Sequence, residues 1–338
     1  MLSQLLAIAK NTFLESIRQP IMVVLIIAAT VALTLSIAGA ANTLEDDNVM
    51  FIQLGLSTLL LAGLFMAGFT ATGVLSLEIE RKTVLTVVSK PVTRPIFILG
   101  KYLGVATAIT ITMWPLAMIM LLCVRHGVMQ TAAHDVDGPV LAFGVTLWFA
   151  ALFASVFLNY MYRWQFCSTF VIAMNVAMTL AGALVMVVSK EWGLQSFTHE
   201  FTHEKAQFGN VMLGLLLLWE SLLIFSAVAI VLSTRLGQVL TILLTVAIGY
   251  AMSLAGAIAA LLQRAEPGAN FLARAIHGLL SGLTHVVPNL DYLWVADDLT
   301  VGLSLSAGYI GAVSIYTALY VLALLALAVA LFQNRDVG

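Results

Sequence analysis

Glu78 to Gly104 reads EIERKTVLTVVSKPVTRPIFILGKYLG. This stretch carries Glu78, Glu80, Arg81, Lys82, Lys90, Arg94 and Lys101 and lies between two long apolar runs. A charged stretch pinned between two membrane spans is a short loop on one membrane face. Five of its seven charges are basic, so the positive-inside rule places it in the cytoplasm. Within it, Val84, Leu85, Val87 and Val88 make 83–89 apolar-biased, and Pro91 and Pro95 limit its length because proline lacks the N–H a helix interior needs. The residues before them, Lys90 and Arg94, are pushed towards extended backbone. The pattern predicts a short interfacial helix of about two turns, a turn over 90–95, and entry into the next span. Such an element can lie on the membrane surface or dock another protein.

Working outward, the 338 residues are 61% hydrophobic and 9% charged, against about 25% charged in a soluble domain. The chain therefore reads as a polytopic, all-α integral membrane protein with no room for a separate soluble domain. A span needs roughly 20 apolar residues. By that rule there are about eight, near 21–41, 51–77, 96–124, 140–162, 166–189, 210–233, 237–262 and 304–332. Only Arg163-Trp164-Gln165 divides 140–189, so six to eight spans fit the pattern. Ahead of them, 3–18 sets Leu5, Leu6, Ile8, Ala9, Phe13 and Ile17 along one side at helical spacing, with Pro20 as its stop. This predicts an amphipathic helix in the interface over 3–19.

The basic residues test the count. With the N-terminus inside, Lys10, Arg18, Arg81, Lys82, Lys90, Arg94, Lys101, Arg163, Arg235 and Arg335 fall in the cytoplasm, against Arg125, Lys190, Lys205, Arg264 and Arg274 outside. That sorting is what the rule expects. It makes 190–209 and 263–303 external loops, the second holding an apolar stretch over 275–283 too short to cross. The N-terminus is not expected to be a cleaved signal, having neither a basic start nor a small-residue cleavage site. Cys123 and Cys167 fall near opposite faces, so no disulfide is expected between them. The expected location is the bacterial inner membrane, with both termini cytoplasmic.

Glu78-x-Glu80-x-x-Thr83, then Ser89-Lys90-Pro91-Val92-Thr93-Arg94, then Gly100-Lys101-x-x-Gly104 resembles the signature of ABC transporter permeases of the type-2 exporter superfamily, most of all the branch associated with multicopper-enzyme maturation. Lys82 stands where that family usually has Gly, and Thr93 where it often has Ser. The resemblance implies one transmembrane permease domain over 1–338, with 78–95 as the coupling element that contacts an ATPase subunit. The residues it assigns to that contact are Glu78, Glu80, Thr83, Val87, Val88, Ser89, Lys90, Pro91, Val92, Thr93 and Arg94. It also implies a second permease copy or a paralogue, with ATP and Mg²⁺ bound on the partner rather than here. Gly100-Lys101 lacks the upstream glycine and following Ser or Thr of a phosphate-binding loop, so the chain is not expected to be an enzyme by itself.

Other residues bear on alternatives. His199-Glu200-Phe201-Thr202-His203 matches H-E-x-x-H, in which two His on one helix face bind Zn²⁺ and the Glu activates water. It falls in a polar loop with no evident third ligand, so His199 and His203 are weak metal candidates. An integral-membrane zinc hydrolase is still the alternative reading, beside a non-transporting assembly factor. Glu220 lies mid-span, where an acid is by default a functional candidate facing the bundle interior, and a hydrogen-bonded structural role is the competing reading. Asn159 and Asn175 are cheaper cases, and Pro115 is expected to kink its span. Membrane lipid is an expected partner and nucleic acid is not.

Overall fold

A bilayer core offers the backbone no water, so a chain this apolar must pair its own N–H and C=O groups, and helices do that within one segment. The computed structural model of the chain describes residues 1–41, 47–76, 78, 93–128, 136–197, 208–264, 274–275, 277–279, 281–282, 287–296 and 306–333. Helix α1 (Leu2–Ile17) precedes α2 (Pro20–Ala40), α3 (Asp47–Ala71), α4 (Arg94–His126), α5 (Gly138–Tyr162), α6 (Phe166–Val187), α7 (Phe208–Ser233), α8 (Gln238–Arg264) and α9 (Ala307–Gln333). The last turns of α3 continue as a π-helical segment, Thr72–Ser76, and a 3₁₀ turn, Leu290–Tyr292, precedes α9. The helices α2 to α9 are each long and apolar enough to cross a membrane, and no strand occurs among the described residues. The protein is an all-α integral membrane protein.

Local sequence sets the helix starts. Pro20, Pro95 and Pro139 sit in the first turns of α2, α4 and α5, where a missing N–H costs nothing. Asp137 caps α5, accepting from the Val140 N–H at 3.2 Å. The run 140–189 is two separate spans. Arg163 adopts the left-handed conformation (φ 56°), and the Asn159 side chain donates to the Trp164 carbonyl at 2.6 Å. That tight turn reverses the chain.

Contacts between helix ends fix how the spans alternate. At one end, here the near end, Ser76 donates to the Leu236 carbonyl at 3.0 Å, Arg235 donates to the Leu331 carbonyl at 2.7 Å, and Arg94 donates to the Gln333 carbonyl. At the far end the Val128 N–H meets Asn48, Arg125 meets the Val188 carbonyl, and the Tyr309 hydroxyl meets the Tyr292 carbonyl. Every span joins one end to the other in chain order. Cys123 and Cys167 sit at opposite ends and are both free thiols.

Helix α7 is the most buried span and packs against α3, α4 and α9, whereas α5 and α8 lie at the rim and turn large apolar side chains such as Phe153 and Leu243 outward. Pro115 leaves the Ile111 carbonyl without its usual i+4 partner. The Asn175 amide on α6 donates to that carbonyl at 2.9 Å, so the proline and the asparagine form one feature.

Helix α1 covers the residues the sequence assigns to an amphipathic helix. The side covered by the bundle is Thr12, Ser16 and Ile17 with Ile8 partly covered, and Leu6 is exposed. Small side chains face the bundle because α4 approaches closely there. In the stretch 275–283, the described residues Ala275, His277–Leu279 and Ser281–Gly282 are helical.

Candidate functional site

The near end of α4 is built around two glycines one turn apart. A Cβ on Gly100 would stand 2.7 Å from Ile8 Cγ2, and one on Gly104 would stand 2.5 Å from Thr12 Cβ and 2.6 Å from the Ala9 carbonyl. Small residues at i and i+4 let two helices meet backbone to backbone. The glycines of G-K-x-x-G therefore form the groove that seats α1. Ser16 fits the same contact by donating to its own helix at the Thr12 carbonyl, 2.7 Å away, so it brings no unmet polar group.

Lys101 lies beside that groove, two turns into α4, and only 3% of its side chain is exposed. Burying an ammonium is costly unless it is paired. Its Nζ is 2.8 Å from Glu78 and 4.0 Å from Glu15 of α1, and it lies 5.6 Å from the Phe97 ring centre. One cation thus joins three segments: the residue that opens the charged stretch, the N-terminal helix, and the third span. Burial pushes the Glu15 carboxyl above its usual range, the Lys101 ammonium pulls it back, and the Glu78 carboxylate raises it again.

The other border of the charged stretch is tied as firmly. Thr93 is the N-cap of α4 through its carbonyl, which accepts from the Phe97 N–H at 3.1 Å. Arg94 donates to the end of α9 and complements the partial negative charge of that helix terminus. Phe97 stacks on Phe332 at 5.6 Å between centroids. Of the residues assigned to ATPase contact, Glu78, Thr93 and Arg94 are described. Glu80, Thr83, Val87, Val88, Ser89, Lys90, Pro91 and Val92 lie outside the described residues, as does the expected helix over 83–89.

His199 and His203 also lie outside the described residues, and no group of three His, Cys, Asp or Glu side chains able to hold a metal occurs within them. Glu220 is 5% exposed and faces α9, where Ser314 donates to Oε1 at 2.5 Å and Thr317 to Oε2 at 3.3 Å. Its carboxyl group holds the two helices together in mid-membrane. One position earlier on α7, Trp219 points to a different neighbour and donates to Thr110 of α4 at 2.8 Å. No cluster of reacting groups surrounds Glu220 among the described residues.

Sequence reasoning missed two features. Glu15 lies on α1, whose sequence pattern speaks only through its apolar residues. A lysine inside an apolar run, flanked by glycines at i−1 and i+3, was the signal that an acid on another helix had to meet it. Arg125, which the basic-residue count places outside, meets Asp137 just ahead of α5. They form a buried ion pair, Nε to Oδ2 at 3.2 Å, with 2% and 0% of their side chains exposed. Arg125 Nη2 also donates to the Val188 carbonyl at 2.6 Å.

No family model and no curated protein matches the chain.

Proposed function

We propose that the chain is the membrane-spanning permease subunit of an ATP-driven exporter. In this reading the near end faces the cytoplasm, and a separate ATPase subunit docks on 78–95. A second copy, or a paralogue, completes the pathway. The observation that carries the reading is how the described residues bordering 79–92 are held. Just before it, Glu78 is tied through Lys101 to α1 and α4, and just after it, Arg94 is tied to α9. A push on a segment anchored at both borders reaches several spans at once. The π-helical end of α3 leads into it, and Ser76 links that end to the α7–α8 turn. The motif residues from Glu78 to Arg94 support the same reading, as does the assignment of ten of fifteen basic residues to that side.

The test is to purify the solubilised chain from its native membrane and assay what accompanies it for ATP hydrolysis. An ATPase is expected to co-purify. Val87→Asp or Val88→Asp is expected to release it while leaving thermal unfolding of the membrane domain unchanged. A chain that comes out alone, or an ATPase retained by both variants, overturns the proposal.

A further inference from the structure

A cleft of about 430 Å³ opens sideways between α2 and α5 in the far half of the bundle. These two helices form its walls and share almost no contact with each other, while α4 and α6 form its floor through Leu122 and Met178. Along α5 it runs from Val140 to Phe149, about 13 Å at 1.5 Å per residue, which is roughly half the hydrocarbon thickness of a bilayer.

The chemistry of its walls selects the occupant. Thr30 and Thr34 line it, but their hydroxyls are already spent on their own helix, on the Ile26 carbonyl at 2.8 Å and the Val31 carbonyl at 2.8 Å. They offer methyl groups to the cleft. Apart from the single Trp148 indole N–H, the walls offer nothing to the many polar groups of a peptide or a sugar chain, which would be left unmet in a region without water at considerable cost. An aliphatic chain has no such groups, and it restores the dispersion contacts that an open apolar cleft forgoes. The cleft is continuous with the place such chains occupy, because it opens towards lipid.

Two polar groups belong to its lining: the Trp148 indole Nε1–H in the α5 wall, buried and without a hydrogen-bond partner among the described residues, and His126 at the far end. The His126 Nδ1 stands 3.0 Å from the Gly127 carbonyl. A ring nitrogen facing a carbonyl must carry the proton, so in the neutral tautomer Nε2 is an acceptor. It has no partner among the described residues.

We propose that this cleft binds one aliphatic chain of a membrane lipid whose head group presents an N–H or O–H donor to His126. The site is independent of ATPase docking at the near end, and its test reads lipid binding alone. The full chain is placed in phosphatidylcholine nanodiscs containing phosphatidylethanolamine with a photoreactive diazirine in mid-chain, and the labelled peptides are mapped. Labelling is expected to concentrate on 30–37 and 140–149 rather than on lipid-facing residues such as Phe153 or Leu319. Gly144→Leu fills the cleft. A Cβ at Gly144 meets only Leu122, at an ordinary 3.5 Å, so the backbone accepts it. That variant is expected to lose labelling at these sites by about tenfold. A choline-headed probe, which has no donor, is expected to label the wild type less than the ethanolamine probe, and His126→Ala is expected to remove the difference. Even labelling over the whole lipid-facing surface overturns the proposal, and this result needs no variant to fold. So does full labelling of Gly144→Leu, or equal labelling of the wild type by the two probes.

Discussion

The two ends of α4 each bury one cation, and they hold it differently. At the far end Arg125 meets the Asp137 carboxylate, both side chains closed from solvent, and the Val188 carbonyl. A guanidinium is a rigid planar fork, and this arrangement locks α4, α5 and the end of α6 in one geometry. At the near end Lys101 meets two carboxylates on two different segments, one at 2.8 Å and one at 4.0 Å, with Glu15 41% exposed. An ammonium on a flexible stem is a point charge that can favour either acid without losing its pairing. One helix thus carries a fixed joint at one end and an adjustable joint at the other. The adjustable joint is the one beside the candidate coupling segment.

The largest effect is expected at the fixed joint. Asp137→Ala removes the buried carboxylate that Arg125 meets and the α5 cap. A loss of about 3–5 kcal/mol is expected from breaking such a pair, read as a lowered thermal unfolding midpoint in detergent. Pairing it with Arg125→Met is expected to recover most of the loss. If the single variant unfolds like the wild type, the far end is not the rigid one and the contrast collapses.

Gly104→Leu comes next. Its side chain must enter space held by Thr12 and the Ala9 carbonyl, and overpacking of this kind costs about 1–3 kcal/mol. The cost here falls on α1, which is expected to lift from its groove while the spans stay folded. Maleimide labelling of Ser16→Cys reads this directly. The buried thiol is expected to react slowly in the parent and about tenfold faster with Gly104→Leu. Equal rates would mean that the groove does not hold α1.

The smallest effect sharpens the adjustable joint. The Glu15 carboxyl lies above its ordinary 4.5, so the folded near end holds that proton more tightly than the unfolded chain does. The stability this contributes is fully present below about 4.5 and is lost as pH rises through the raised value. Glu15→Gln is expected to flatten that part of the pH dependence of thermal unfolding, leaving the part due to other groups. An identical pH profile would show that burial does not hold the Glu15 carboxyl above its ordinary range.

The membrane architecture was legible because a bilayer imposes a one-dimensional rule. Runs such as 210–233 and 237–262 match α7 and α8 within two residues at each end. Even the doubtful 140–189 run divides where Arg163 stands. The candidate site was legible only at its borders. Glu78 and Arg94 stood out as charges beside apolar runs, but their partners did not. Glu78 is joined to Lys101, Lys101 to Glu15, and Arg94 to Gln333 across 239 positions of sequence. No local pattern marks such pairs. Glu220 was flagged by its cost in the membrane, yet the hydroxyls that satisfy it come from Ser314 and Thr317, ordinary residues of a distant helix.

By itself, the sequence determined that this chain crosses a membrane, about how many times, and where one charged stretch interrupts it, because hydrophobic length and charge act residue by residue. Tertiary structure decided which helix each glycine admits, which acid each buried cation meets, and that Asn175 supplies the donor that Pro115 removes. Those choices depend on which surfaces come within a few ångströms of each other, and only the packed bundle sets that.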